Sequence, residues 1–247
     1  NIVELAQQAI ATGAELVVLP ELAAHANGLA GEAADDALSV SALSAALAGT
    51  ETLLVTSIIE DGAHVGVVID ANGVVARQPQ LHASARHGEL ALPAADGGNP
   101  IVIHEAAWGR LAVIVGDDAL YPESFRLAAL RDADVVAVPF TVAEARDADL
   151  ALLERAAENR LNLAVASRRH AEFGGGVLIP LSGDFTLWGE WETAFAGVIS
   201  RPEPQLTTAS VESATLRPAC ATNRFVSKGT DVVDGRPWNL LGGVLTA

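Results

Sequence analysis

The apolar residues of this chain come in short runs that stop abruptly, and that punctuation limits the fold more than any single motif. LVVL at 16–19, LLVTSII at 53–59, VGVVI at 65–69, LAVIV at 111–115, VVAV at 135–138 and LAVA at 163–166 have strand length and are far too short to span a bilayer. Helical spacing appears between them. Ile2, Leu5, Ala6, Ala9 and Ile10 share one face of a helix over 2–12 that Gly13 stops, and residues 35–48 are alanine-rich. Pro122 opens a helix over 122–131, and a longer one is predicted over about 143–160.

The strands divide into two kinds. ELVVLPEL (15–22), DVVAVPF (from 134) and LNLAVASR (161–168) alternate with helices, whereas residues 53–78 read as hairpin strands turning at Asn72-Gly73. PIVIHEAAWGRLAVIV (100–115) reads as strand, turn, strand, and GGGVLIPLSGDFTLW (174–188) as a hairpin turning at Ser182-Gly183-Asp184. Hairpins mixed with strand-helix-strand units predict an α/β layered sandwich rather than a purely parallel sheet. No repeat or linker divides the chain, so one domain is expected over 1–202, with an extended tail of that domain over 203–247.

Charge and composition narrow the function. A net charge of −16 repels nucleic acid and acidic membranes, and no basic cluster offsets it. With no apolar span and no basic-then-apolar opening segment, a soluble cytoplasmic protein is expected. The single cysteine, Cys220, excludes an internal disulfide and any multi-cysteine metal site, and Lys228 is the single lysine. The six histidines, at 25, 64, 82, 87, 104 and 170, show no ligand spacing, so no metal or other cofactor is expected. His82 and His87 read as surface residues.

Two places stand out chemically. Glu21 follows a buried strand behind a proline, where strand ends expose functional groups. In IVGDDALYPESF (114–125) a strand halts at Gly116, and Asp117 and Asp118 precede a helix opening at Tyr-Pro-Glu. Adjacent carboxylates can bind Mg²⁺, but successive side chains point apart. One is expected to cap the helix at Pro122, and the other to be solvated or paired with an arginine.

The order of segments resembles the nitrilase, or carbon-nitrogen hydrolase, superfamily. GAELVVLPEL (13–22) is similar to its first signature, and VVIDANGVVARQPQLH (67–82) to the hairpin that leads into an Arg-Lys-x-His-Leu stretch. GDDALYPESFRLAALRDADVVAVP (116–139) is similar to the nucleophile elbow and its helix, RAAENRLNLAVAS (155–167) to the following helix end and strand, and GGGVLIPLSGDF to the late hairpin. The family's opening strand has no counterpart ahead of Asn1. The resemblance implies a four-layer αββα sandwich and, in active members, hydrolysis of amides or nitriles by a cysteine nucleophile, a glutamate base and a lysine that stabilises the oxyanion.

Carried over residue by residue, Glu21 matches the base, Gln78 stands at the lysine position and Gly116, six residues before Pro122, at the cysteine position. A second glutamate found in many members falls on Ala85 or Arg86, with Glu89 off register. Asp117, Tyr121 and Glu123 are the residues expected to line any substrate site. The resemblance therefore implies a degenerate member, a pseudoenzyme that binds a small amide or carboxylate or acts as a structural or regulatory subunit. A homodimer or pairing with an active paralogue is implied with it. The alternative is a divergent hydrolase using Glu21 with water or a non-standard nucleophile.

Overall fold

The computed structural model describes residues 2–25, 35–82, 100–170, 174–181, 204–222, 224–227 and 230–235. Two stacked sheets carry the described chain. The first holds β1 (Leu16–Val18), β2 (Leu53–Glu60), β3 (Ala63–Asp70) and β4 (Gly73–Pro79) in that order, with β1 parallel to β2 and the rest an antiparallel meander. The second holds β5 (Ile103–Ala106), β6 (Gly109–Val113), β7 (Val135–Phe140), β8 (Asn162–His170), β9 (Gly174–Ile179) and β10 (Gln205–Leu206), again in sequence order. Within it β6, β7 and β8 are parallel, and the outer pairings are antiparallel. A small hairpin, β11 (Phe225–Ser227) with β12 (Thr230–Asp231), lies in the tail.

Three apolar layers make this a four-layer αββα sandwich, the architecture that the resemblance implies. Helices α1 (Ile2–Ala11) and α2 (Asp36–Ala46) cover the first sheet through Ala6, Leu43, Leu54, Val67 and Ile69. Helices α3 (Pro122–Leu130) and α4 (Leu152–Asn159) cover the second through Phe125, Ala128, Leu152 and Ala156. Between the sheets lie Leu53, Val55, Val68, Leu111, Val113, Val135 and Ala137. Strand β7 shows the logic in one segment. Val135 and Ala137 face the other sheet, while Val136, Val138 and Phe140 face the helices. A parallel strand covered on both faces has to be apolar throughout.

Some boundaries differ from those predicted. The first strand stops at Val18, because Pro20 and the left-handed Leu22 (φ +48°) bend the chain away from the sheet. The β3–β4 hairpin turns at Ala71-Asn72, and Gly73 is already in β4 at φ +127°. The helix predicted over 143–160 is interrupted by a π turn at Asp147–Ala151 that runs into α4, and left-handed Arg160 (φ +55°) ends it. The late hairpin's turn at Ser182-Gly183-Asp184 lies outside the described residues. Part of the tail is more than extended chain: β10 pairs with β9, and a 3-10 turn at Pro218–Thr222 starts against Gly109.

Asn162 ties this end of the sandwich together. Its Nδ2 donates to the carbonyls of Asp134 and Arg217, both at 3.0 Å, and its Oδ1 accepts from the amides of Leu181 (2.9 Å) and Arg217 (3.0 Å). The side chain is fully buried. Asn162→Ala is expected to cost about 2–4 kcal/mol, because the buried Leu181 amide and the partly buried Arg217 amide lose their acceptor. Urea denaturation measures this, and a loss under about 0.5 kcal/mol would show the tail to be held by other contacts.

Candidate functional site

Glu21 and the Gly116 elbow both follow the C-terminal ends of strands, β1 in one sheet and β6 in the other. The loop carrying Glu21 is pinned on several sides. Thr56 Oγ1 donates to the carbonyl of Pro20 at 3.1 Å, the amide of Leu22 donates to Ser57 Oγ at 2.8 Å, and Arg168 reaches the loop from β8. Glu21 itself is 3% exposed.

Gly116 begins a 3-10 turn over Gly116–Leu120 at φ +56°, in the left-handed region. That conformation strains any side chain placed there, and neighbouring side chains crowd it. A Cβ built there would lie 2.7 Å from Gln80 Oε1, 2.9 Å from Glu21 Oε2 and 3.0 Å from His64 Cε1. Three polar side chains thus occupy the space where a nucleophile's side chain would begin.

Those groups belong to a defined chain of hydrogen bonds. Gln80 Nε2 donates to the carbonyl of His82 at 2.6 Å, which turns Oε1 toward His64 Nδ1, also at 2.6 Å. The network therefore assigns Nδ1 as donor and Nε2 as acceptor, the latter taking the Ser57 hydroxyl at 2.7 Å. Ser57 Oγ in turn accepts the Leu22 amide. Ser57, His64 and Gln80 are each at most 2% exposed, so the relay links the Glu21 loop to the elbow's neighbour strand inside the protein.

Gln78 goes elsewhere. Its Nε2 donates to the carbonyls of Pro79 (2.9 Å) and Pro100 (2.8 Å), and its Oε1 accepts the amide of Val102 at 2.8 Å. Gln78 is thereby engaged in fastening the segment entering β5, and Gln80, two residues on, is the glutamine that meets Gly116. The aspartates also depart from expectation. Asp118 does not cap α3, whose N-cap residue Tyr121 makes no side-chain capping bond. Asp118 accepts from the amides of Leu81 (2.8 Å) and His82 (2.9 Å) and from His82 Nδ1 (2.8 Å). Burial pushes the Asp118 carboxyl above its ordinary value, and those bonds pull it partly back. Asp117 is buried rather than solvated.

Tyr121 stacks on His82, rings 3.7 Å apart and 8° from parallel, which places His82 against the elbow instead of free on the surface. Glu123 is exposed on α3. His87 and Lys228 lie outside the described residues. Cys220 is half-buried in the 3-10 turn that begins against Gly109. The start and end of β6 separate that turn from Gly116 by roughly 20 Å. Among the described residues no group of His, Cys, Asp or Glu could hold a metal, and no helix is long and apolar enough to cross a membrane. A cleft of about 820 Å³ lies along β1 and the 205–218 segment, and Glu21, His64, Gln80 and Gly116 do not line it.

Ser57, His64, Gln80 and Arg168 were not predicted to join the site. Filling position 116 tests the packing. Gly116→Ala is expected to destabilise by about 2–4 kcal/mol, from left-handed strain plus overpacking. Adding Gln80→Ala should recover part of this, with a coupling of about 0.5 kcal/mol or more in a double-mutant cycle. Strict additivity would show that the two positions do not touch.

Comparison with known proteins sets this geometry in a lineage. Among solved structures, a cysteine-to-alanine mutant of the Nesterenkonia AN1 amidase from the nitrilase superfamily is 24% identical, with 71% of each chain covered and a TM-score of 0.58. A cysteine-to-serine mutant of that amidase is 26% identical over 67% of this chain and 68% of its own, with a TM-score of 0.54. A glutamate-to-glutamine mutant of the amidase from Nesterenkonia sp. AN1, with the acetamide moiety of fluoroacetamide added covalently at its active-site cysteine, is 21% identical. It covers 98% of this chain and 88% of its own, with a TM-score of 0.67. No curated protein matches the sequence. The carbon-nitrogen hydrolase profile matches residues 1–192, well over half of the sequence, and the chain belongs to the carbon-nitrogen hydrolase family.

Proposed function

We propose that this chain has lost the cysteine-dependent hydrolysis of amides and nitriles and serves as a structural or regulatory subunit. The observation that carries the reading is the bare, crowded elbow: position 116 is a glycine, and the side-chain tips of Gln80, Glu21 and His64 lie within 3.0 Å of where its Cβ would stand. Covalent catalysis needs a nucleophile about 3–3.5 Å from the carbonyl carbon and fixed donors or charge at the developing oxyanion. Glycine has no nucleophile to offer, and Gln78 is neutral and bonded to Pro79, Pro100 and Val102. Glu21 keeps its place as a buried carboxylate, but no thiol stands at position 116 for it to deprotonate. This packing favours the subunit role over binding of a small amide or carboxylate at the elbow.

A self-pairing or paralogue-pairing surface is part of the same proposal. Leu120, Tyr121 and Leu130, on the elbow and α3, and Leu150, ahead of α4, are exposed on the helix side of the second sheet. Exposed large apolar side chains suit a protein partner where they are contiguous. A cytoplasmic setting also belongs to the proposal and is supported by the single cysteine.

The test is a panel of short-chain amides, nitriles and carbamoyl compounds at high enzyme concentration. The proposal expects no turnover above that of a Glu21→Ala control. Turnover that disappears with Glu21→Ala would overturn it and restore the hydrolase reading.

A further inference from the structure

Glu21 brings a carboxylate into a site where the position expected to supply a cation holds a glutamine. Buried carboxylates are paired or heavily hydrogen-bonded, because desolvation of an isolated charge is costly. A candidate partner comes from the other sheet. Arg168, on β8, donates through Nη2 to the carbonyls of Leu22 (2.5 Å) and His25 (2.6 Å), both just after Glu21 in the chain. These bonds bridge 146 and 143 residues of sequence. Burial holds the Arg168 guanidinium below the ordinary arginine value, and the charge of Glu21 works against that effect.

We propose that Arg168 is the counter-ion of Glu21 and the latch that holds the Glu21 loop to the second sheet. The positive charge of this site then comes from β8, not from the strand that carries Gln78. Arginine suits both duties. Its planar fork can bond carbonyls with some N–H groups while its delocalised charge acts on a carboxylate nearby, and its high intrinsic basicity keeps it charged under partial burial. The inference concerns the charge and anchoring of the Glu21 loop, so it holds or fails separately from the question of turnover.

The experiment is a carboxyl ¹³C NMR titration of Glu21, assigned with Glu21→Gln, in the wild type, Arg168→Gln and Arg168→Lys. Removing a nearby positive charge raises a carboxylate's midpoint. Arg168→Gln is therefore expected to move Glu21 up by about one pH unit or more, with faster amide exchange in residues 22–25. Arg168→Lys keeps the charge and loses the fork, so the midpoint should stay near the wild-type value while exchange still accelerates. An unchanged midpoint in Arg168→Gln would overturn the counter-ion assignment. If that variant does not fold, an upward move of a unit in Arg168→Lys would overturn it equally. Unchanged amide exchange in both variants would overturn the latch.

Discussion

The site depends on how closely the two sheets approach at its end of the sandwich. Gly66 on β3 faces β6, and a Cβ there would lie 2.8 Å from Val113 Cγ1 and 3.4 Å from the Cβ of Val115. A bare glycine lets the β3–β4 hairpin settle onto the strand that ends at the elbow. With the sheets this close, Gly116 comes to rest on His64 and Gln80, whose strands are partners in the same hairpin. A larger residue at either glycine would press the sheets apart or displace the polar groups between them. The apolar layer formed by Val55, Val68, Val113 and Ala137 thus gives way at this end to a layer of side chains that pair with one another.

That polar layer is ordered in a way that a merely decayed active site need not be. Each donor along Leu22, Ser57, His64 and Gln80 meets an acceptor, ending at the His82 carbonyl. Gln78 meets two carbonyls and an amide of the segment entering β5. Asp118 gathers three N–H groups at the end of β4. Polar groups arranged to stabilise a transition state leave room for a substrate atom among them, whereas these groups close on one another. The bonded run from Leu22 to the His82 carbonyl rigidifies this end of the core and fixes its geometry, which suits a fold maintained for its shape.

Much of the fold was legible in the sequence because each element announces itself locally. Pro122 at the first turn of α3, Asp35 capping α2 through the Leu38 amide, and the buried run of β7 are all short-range signals. The bare elbow was legible too, since the spacing from Pro122 needs only counting. The relay was not, and the reason is one residue. Counting outward from Asp70 opposite Gly73 sets His64 across from Pro79, but an irregularity in pairing between Val68 and Ile69 moves it opposite Gln80. A bulge, here at Val75 on β4, reverses which face a strand presents, and nothing in GVVARQ marks its place. Asp117 and Asp118 read as a helix cap and its neighbour because the true partners of Asp118, Leu81 and His82, lie 37 and 36 residues earlier. Arg168 gives no local hint of the Glu21 loop at all, because its bonds to Leu22 and His25 exist only once the sheets have stacked.

The central claim is that side chains of the protein itself fill the place where a substrate would react. A crystal structure determined after soaking with a high concentration of acrylamide tests it most directly. The account predicts Gln80 Oε1, Glu21 and His64 still against Gly116, with no amide between them. An ordered amide lying between Glu21 and Gly116, with Gln80 swung aside, would contradict it.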